Sequence, residues 1–173
     1  MPHRAMLTRV IVGVDPPAGD HGDQCGIVVC GTLDDGRGIV LADRSVAGQR
    51  PEGWARAVVA AADGWGADKV VAESNNGGLM VGNVLRQVAP GLAIKLAHAS
   101  RGKGARAEPV ATAFEAGRCL FGGVFPELED QLTALRAGGF AGTGSPDRAD
   151  AMVWALTELV VRAPPVIPRV RRL

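Results

Sequence analysis

Three short β-branched runs lie within the first 45 residues, and they limit the folds that this chain can adopt. The runs are RVIVGV at 9–14, GIVVCGT at 26–32 and GIVLAD at 38–43. The prolines at 16–17 end the first run, and the DDG at 34–36 is a turn signal between the other two. Because short runs separated by turns pair with one another, the sequence predicts a three-stranded antiparallel meander.

Beyond residue 50 the pattern changes to an alternation of helix and strand. Apolar residues recur at helical spacing over 51–66, and DKVVAE at 68–73 is typical of a buried strand. A second helix begins near Leu79 and stops before Pro90, and the next strand covers 92–97. Strands joined by helical crossovers predict a mixed five-stranded sheet with helices on both faces, which is an α/β fold.

The remaining residues are predicted to add a small insertion and a last helix. We expect a helix ending near Gly117, a short strand at 118–121, a short helix at 127–136 and a loop at 138–146. The final helix begins around Asp147. The expected order is β-β-β-α-β-α-β-α, then the insertion and the last helix, in one domain over 1–163 with a Pro/Arg-rich tail over 164–173.

Acidic residues end two strands that are predicted to be neighbours. Asp15 follows the first run, and Glu73 ends DKVVAE. A right-handed crossover places the fourth strand beside the first, so both carboxylates should lie at one edge of the sheet. On the last helix Asp147 and Asp150, three residues apart, share a side that borders the apolar stripe. We expect this helix to point a carboxylate at the strand ends.

Three converging carboxylates predict a site for hard divalent cations. Carboxylates packed together raise one another's pKa unless a cation neutralises them. Oxygen ligands with no His or Cys nearby select Mg²⁺ or Mn²⁺, and two such ions about 3.5–4 Å apart can activate a water and stabilise the leaving oxygen of a phosphodiester. The expected chemistry is phosphodiester hydrolysis.

Several polar residues near this edge also have simpler explanations. Asp147 follows Ser145 and Pro146, where an acid favours a helix N-terminus, so capping and metal binding both stay open. Asp20 and Asp23 are expected to be solvated turn residues, with a second-metal role as the alternative. 

Composition is that of a soluble globular protein, with 47% hydrophobic and 21% charged residues and a formal net charge of +1. Nucleic-acid binders are recognised by where their basic residues lie, and here they cluster over 95–106 and 162–172. A solvated surface explains either cluster about equally well. The cysteines at 25, 30 and 119 lack metal or redox spacing, so we expect buried thiols. With no membrane-length apolar run and no signal-peptide core, we expect a cytoplasmic location.

Five segments together resemble the C-terminal nuclease domain of the large terminase subunits of tailed phages and gene transfer agents. They are VIVGVDPPAG, CGIVVCG, DKVVAESNNGG, RGKGARAEPVATAFEAGR and GSPDRADAMVWALTEL, which follow in the family's order from about Arg9 to Leu159. The resemblance implies a ribonuclease H-like fold and an endonuclease that cuts concatemeric double-stranded DNA during packaging, by metal-activated water and with little sequence specificity.

The resemblance also implies roles for particular residues. Asp15, Glu73 and Asp150 correspond to a catalytic, metal-binding acidic triad, with Asp147 as a candidate fourth ligand of two Mg²⁺ or Mn²⁺ ions. Lys103 corresponds to a residue that faces DNA or the active site.

On the same resemblance, Arg101 and Arg106 would add phosphate contacts beside Lys103. Asn75 and Asn76 would shape the rim of the metal site, although turn propensity explains them as well.

A complete large terminase also carries a packaging ATPase, whose G-x-x-x-x-G-K-[ST] phosphate loop this sequence lacks. We therefore expect no ATP hydrolysis, and either a domain of a longer protein or a stand-alone relative. The implied partners are double-stranded DNA, a packaging ATPase domain, a portal ring and a small terminase subunit.

Three other interpretations stay open. A junction resolvase, or a transposase-like or exonuclease-like relative, would keep the fold and change the substrate. VGVDPPAG superficially resembles the phosphate-binding hairpin of actin-like or sugar-kinase-like proteins. A packaging interaction module without catalysis would use solvated acids and the Arg-rich tail for docking.

Overall fold

The computed structural model describes residues 6–17, 24–75, 78–136 and 139–162. The strands are β1 (Leu7–Asp15), β2 (Gln24–Leu33), β3 (Gly38–Asp43), β4 (Val46–Ala47), β5 (Lys69–Glu73), β6 (Ile94–Ala97), β7 (Cys119–Phe121), β8 (Leu135–Arg136) and β9 (Gly139–Phe140). The helices are α1 (Pro51–Trp65), α2 (Leu79–Val88), α3 (Lys103–Glu115), α4 (Pro126–Ala134) and α5 (Asp147–Leu156), which continues as a π-helical turn (Thr157–Val161).

The main sheet has the strand order β6-β5-β1-β2-β3-β7, and the short β4 pairs with β2. The pairs β1–β2 and β2–β3 are antiparallel, whereas β1–β5, β5–β6 and β3–β7 are parallel. The predicted mixed sheet is therefore confirmed, including the pairing of the fourth strand beside the first, but in the described part of the chain it has seven strands rather than five because β4 and β7 join it. The predicted short strand near residue 120 extends this sheet at its edge.

Both faces of the sheet are covered by helices, which explains why β1 is a continuous apolar run rather than an alternating one. Val10, Val12 and Val14 pack in the cluster that contains the buried residues of α1 and α2. Ile11 belongs to the second cluster, with residues of α3, α4 and α5. Because side chains alternate along a strand, Asp15 follows Ile11 onto the α5 face of the sheet.

The helix α5 lies unusually close to the sheet because two glycines leave room for its backbone. An ideal Cβ built on Gly13 would lie 1.9 Å from the carbonyl oxygen of Ala151, and one on Gly26 would lie 1.9 Å from that of Asp147. Real Cβ atoms essentially never come this close to another heavy atom. Only glycine therefore permits this approach, which brings the first turn of α5 to the end of β1.

Some predicted boundaries differ from the structure. Residues 138–146, predicted as a loop, include the strand β9, which pairs antiparallel with β8. The helix predicted over 127–136 ends at Ala134 as α4, and the last two residues of that range form β8. The π-helical turn after α5 was not predicted, since nothing in the apolar spacing distinguishes it from an α-helix. The three cysteines are buried, as predicted. The proposed tail lies outside the described residues.

In the part of the chain that the structure describes, no helix is both long and apolar enough to cross a membrane.

Candidate metal centre

Three buried carboxylates meet at one edge of the sheet. Asp15 ends β1, Glu73 ends the neighbouring parallel strand β5, and Asp150 lies in the first turn of α5. Each offers an oxygen within 4.8 Å of the other two, and their residues are exposed by only 6%, 7% and 2%. The structure thus brings together the three acids that the sequence predicted as a triad.

Strand register explains how the first two acids come together. The strands β1 and β5 run parallel with Val14 opposite Ala72, so the next residue of each is an acid at the same sheet edge. In both strands the preceding residue belongs to the α1–α2 cluster, so the acid points to the opposite face. That face is the one on which α5 packs.

Lys103, the first residue of α3, inserts its ammonium group among these acids. Its Nζ donates hydrogen bonds to Asp15 Oδ2 at 2.9 Å and to Ser145 Oγ at 3.0 Å. The same nitrogen lies 3.2 Å from Asp150 Oδ2 and 3.7 Å from Asp147 Oδ1. Lys103 is therefore a counter-charge for three carboxylates on two elements.

Arg106, one turn along α3, is the second counter-charge of the site. Its guanidinium donates to Asp150 Oδ2, to Glu73 Oε2 at 3.2 Å and to the carbonyl oxygen of Arg101 at 3.0 Å. It also lies over the ring of Trp154, with Cζ 4.8 Å from the centroid. Its buried Nε has no hydrogen-bond partner among the described residues.

Trp154 also belongs to this centre, although the sequence pattern did not single it out. Its indole Nε1 donates a 2.9 Å hydrogen bond to Glu73 Oε2, and its ring supports Arg106. The available signal was its position four residues after Asp150, which places both side chains on one face of α5. An indole with a buried N–H requires an acceptor, and here Glu73 provides it.

Burial and neighbouring charges shift the pKa values of Asp15 and Lys103. Burial, followed by the charge of Asp150, raises the pKa of Asp15 from 3.8 to about 8, although Lys103 lowers it in part. Burial alone would lower the pKa of Lys103, but the charges of Asp15 and Asp150 raise it above its ordinary range. At neutral pH the carboxyl of Asp15 is therefore largely protonated in the absence of another cation.

The other predicted residues lie around this centre. Asp147 is adjacent but does not belong to the group of mutually close oxygens, and its side chain is 13% exposed. Arg101 is exposed at the rim. The Asn75 amide donates to the Ala99 carbonyl at 3.0 Å and accepts from its N–H at 2.7 Å, which ties the loops after β5 and β6 together.

Asp20, Asp23 and Asn76, which the sequence also singled out near this site, lie outside the described residues.

Known proteins resemble this chain in sequence and fold. The sequence model of the terminase RNaseH-like domain matches residues 12–159, although no curated protein matches the sequence. The crystal structure of the large terminase nuclease from thermophilic phage G20c with bound magnesium is similar, with a TM-score of 0.68 and 18% identity over 87% of this chain and 81% of that one. Structures of the same nuclease with bound cobalt or zinc are also similar.

Two further structures share the fold. The HK97 bacteriophage large terminase has a TM-score of 0.63 and 16% identity over 91% of this chain and 40% of that one. The RuvC protein of T. thermophilus in complex with a Holliday junction has a TM-score of 0.50 and 17% identity over 86% of this chain and 92% of that one. The fold is therefore ribonuclease H-like, and the match over most of the sequence shows that the chain belongs to the terminase RNaseH-like domain family.

Proposed function

We propose that this chain is a divalent-metal-dependent endonuclease that cleaves double-stranded DNA during DNA packaging. The observation that carries the proposal is the convergence of Asp15, Glu73 and Asp150, with their oxygens within 4.8 Å of one another. Such buried acids are costly to assemble for stability alone, because desolvation and mutual repulsion both oppose their ionisation. Family membership supports a role in DNA packaging.

The residues fit a hard divalent cation. The three acids supply only oxygen ligands. Burial and then the charge of Asp150 raise the pKa of Asp15, and a cation bound among the acids would favour its ionised form. When all four acids of the site, Asp147 included, are ionised, they exceed the two cations Lys103 and Arg106 by two negative charges. When bound, one or two Mg²⁺ or Mn²⁺ ions would activate water and stabilise the leaving oxygen.

The protein's own groups would orient the reaction. Trp154 fixes one oxygen of Glu73, and Lys103 and Arg106 hold positive charge next to the acids. These two cations would also attract a DNA phosphate bound at the metal centre. Arg101 stands at the rim, where a phosphate contact would position DNA without reading its sequence. We propose little sequence preference for this reason.

The first experiment is cleavage of supercoiled plasmid in Mg²⁺, Mn²⁺ or EDTA. We expect nicking and linearisation with either metal and none in EDTA, and loss of both in Glu73→Gln and Asp150→Asn variants whose fold is confirmed by circular dichroism. Glu52→Gln is the matched control, since Glu52 is an exposed acid on α1 that pairs with Arg56. Cleavage that survives in EDTA, or in both triad variants, would refute the proposal.

A four-way junction is the second candidate substrate, because RuvC shares the fold over 86% of this chain. Linear duplex, four-way junction and single strand should be compared at equal concentration. We expect the duplex to be cut at least as fast as the junction. Strong preference for the junction would assign the chain to resolvase-like chemistry.

Trp154→Phe tests the support that the indole gives to Glu73. The variant keeps an aromatic ring under Arg106 but removes the indole N–H, which donates a hydrogen bond to Glu73. Because partners that orient metal ligands typically contribute 10–100-fold, we expect metal affinity to fall by roughly that factor. Titration calorimetry with Mn²⁺ measures it, with Trp65→Phe on α1 as control. Equal affinity in both variants would contradict the assignment.

The proposed assembly extends beyond this chain. We propose that residues 1–163 form the nuclease unit and 164–173 a Pro/Arg-rich tail, and that the unit acts with a packaging ATPase domain, a portal ring and a small terminase subunit. This chain spans 40% of the HK97 large terminase, which is consistent with further domains in such proteins. We expect no ATPase activity from the chain itself.

A further inference from the structure

We propose that a groove beside the carboxylates is a second binding site, which holds a backbone phosphate of the nucleic-acid strand next to the one being cut. The inference rests on the proposed function, because it names how the same substrate is held. The groove has a volume of about 350 Å³ and lies between the end of β6, the start of α3 and the π-helical turn. Its polar lining residues are His98, Ser100, Arg101, Arg106, Thr157 and Arg162.

The charge of the groove favours an anion. Among its lining residues every permanently charged side chain is an arginine, and none is an acid. Arg101 and Arg162 are both exposed, and no carboxylate of the described residues lies within 4.0 Å of either. Two open guanidinium groups beside Ser and Thr hydroxyls are the groups that typically bind phosphate oxygens.

The π-helical turn and the residue after it determine which side chains at the end of α5 line the groove. In this turn the backbone N–H of Arg162 donates a 2.9 Å hydrogen bond to the carbonyl oxygen of Thr157, five residues earlier, rather than four as in an α-helix. Thr157, Val161 and Arg162 face the groove, whereas Glu158 does not line it. Single π turns inside helices are frequent at functional sites, because they change which side chains share a face.

Glu158 is held away from the groove by three cations on the sheet. Its oxygens lie 2.6 Å from Lys95 Nζ, 3.2 Å from Lys69 Nζ and 3.8 Å from Arg9. The only acid of the turn is therefore neutralised on the far side, and this cluster still has an excess of positive charge. An anion in the groove would meet no opposing carboxylate from the turn.

The groove and the triad share a wall. Arg106 and Trp154 line the groove, and the same two side chains donate hydrogen bonds to Glu73. The side chains of Arg106 and Trp154 separate the groove from the triad. A DNA strand with one phosphate at the triad would therefore reach the groove with a neighbouring phosphate. Trp154 is only 5% exposed, so its face is closed to base stacking. The arginine and hydroxyl groups of the lining accordingly fit a phosphodiester.

The test is the salt dependence of duplex binding by an Arg101→Gln/Arg162→Gln variant. Fluorescence anisotropy of a labelled duplex in Ca²⁺, with gels to verify intact DNA, gives the dissociation constant between 50 and 200 mM salt. Because each lost phosphate contact reduces the slope of log K against log salt by about 0.9, we expect a reduction of about 1.8 and at least about tenfold weaker binding at low salt.

Two controls separate the groove from the catalytic centre. Arg56→Gln removes one exposed arginine from α1 and should leave the slope unchanged, and Mn²⁺ affinity of the double variant without DNA should equal that of the unmodified protein. If the folded double variant keeps the slope of log K against log salt of the unmodified protein, the proposal for the groove is wrong. The proposed cleavage activity would not be affected by that result. Failure of the unmodified protein to bind or cut DNA would instead overturn both proposals.

Discussion

Asp15→Asn is expected to reduce metal-dependent DNA cleavage by at least about 100-fold. The amide removes one anionic oxygen ligand from a site whose three acids lie within 4.8 Å. A bound metal typically supplies several kcal/mol of transition-state stabilisation, and about 3 kcal/mol corresponds to roughly 100-fold in rate. Initial rates of plasmid nicking in Mg²⁺ measure the loss.

The same substitution should remove a pH dependence from the stability of the metal-free protein. Burial and Asp150 raise the pKa of Asp15 to about 8 from 3.8, so the folded state keeps a proton that the unfolded state loses. The resulting stabilisation is fully present below about pH 4 and is lost as pH rises to about 8. Asparagine resembles the protonated acid and does not titrate, so this part of the decline should disappear.

Urea denaturation in EDTA between pH 5 and 9 measures that effect. We expect the unmodified protein to lose stability over this range more steeply than the variant does. Excess Mg²⁺ should reduce the difference, since a bound cation favours the ionised carboxylate. Equal pH profiles for the two proteins would show that Asp15 ionises normally.

Asp147→Asn is the control for the loss of cleavage in Asp15→Asn. It should retain more cleavage, because Asp147 lies outside the group of mutually close oxygens.

Gly13→Ala is expected to cost about 3 kcal/mol of folding free energy. The new methyl group would lie 1.9 Å from the carbonyl oxygen of Ala151 and 3.0 Å from Cβ of Ala155. Neither is the free end of a flexible side chain, so α5 itself must move away from β1. For a domain of this size the loss corresponds to a melting temperature lower by roughly 6–12 °C. Thermal unfolding followed by circular dichroism measures it.

Displacement of α5 should also reduce cleavage in whatever fraction of the variant stays folded. Asp150 lies on α5, whereas Asp15 and Glu73 lie on the sheet, so moving the helix separates the acids. Gly64→Ala on α1 is the matched control, because nothing lies within 4 Å of its ideal Cβ. It should stabilise the fold by about 0.5–1 kcal/mol. A tolerated Gly13→Ala would show that α5 packs further from the sheet than this structure indicates.

Local chemistry made much of the fold predictable. The apolar runs, their turn signals and the helical periodicity define the order of elements, because strands and helices place side chains with different periods. The rule that crossovers are right-handed then places β5 beside β1. The sequence therefore predicted that Asp15 and Glu73 lie at one edge of the sheet, and the structure confirms that β5 pairs with β1.

The partners of the acids were harder to predict. Lys103 was expected to face DNA or the active site, and Arg106 to contact a DNA phosphate. In the structure both side chains bind acids of the triad from α3. That contact depends on how α3 lies across α5, which no local pattern encodes. The glycines at 13 and 26 were likewise only strand residues in the sequence, and their significance comes from the helix backbone that they admit.

The order of the main strands and helices, and the positions of the acids along them, could be predicted from the sequence, since these features depend on neighbours along the chain. Only the packing of the helices on the sheet brought Lys103 and Arg106 to the acids, bonded Trp154 to Glu73, and placed Arg162, which follows the π-helical turn, in the wall of a groove beside them. These features depend on the packing of α5 against β1, β2 and α3, where distances of a few tenths of an ångström decide whether a contact forms.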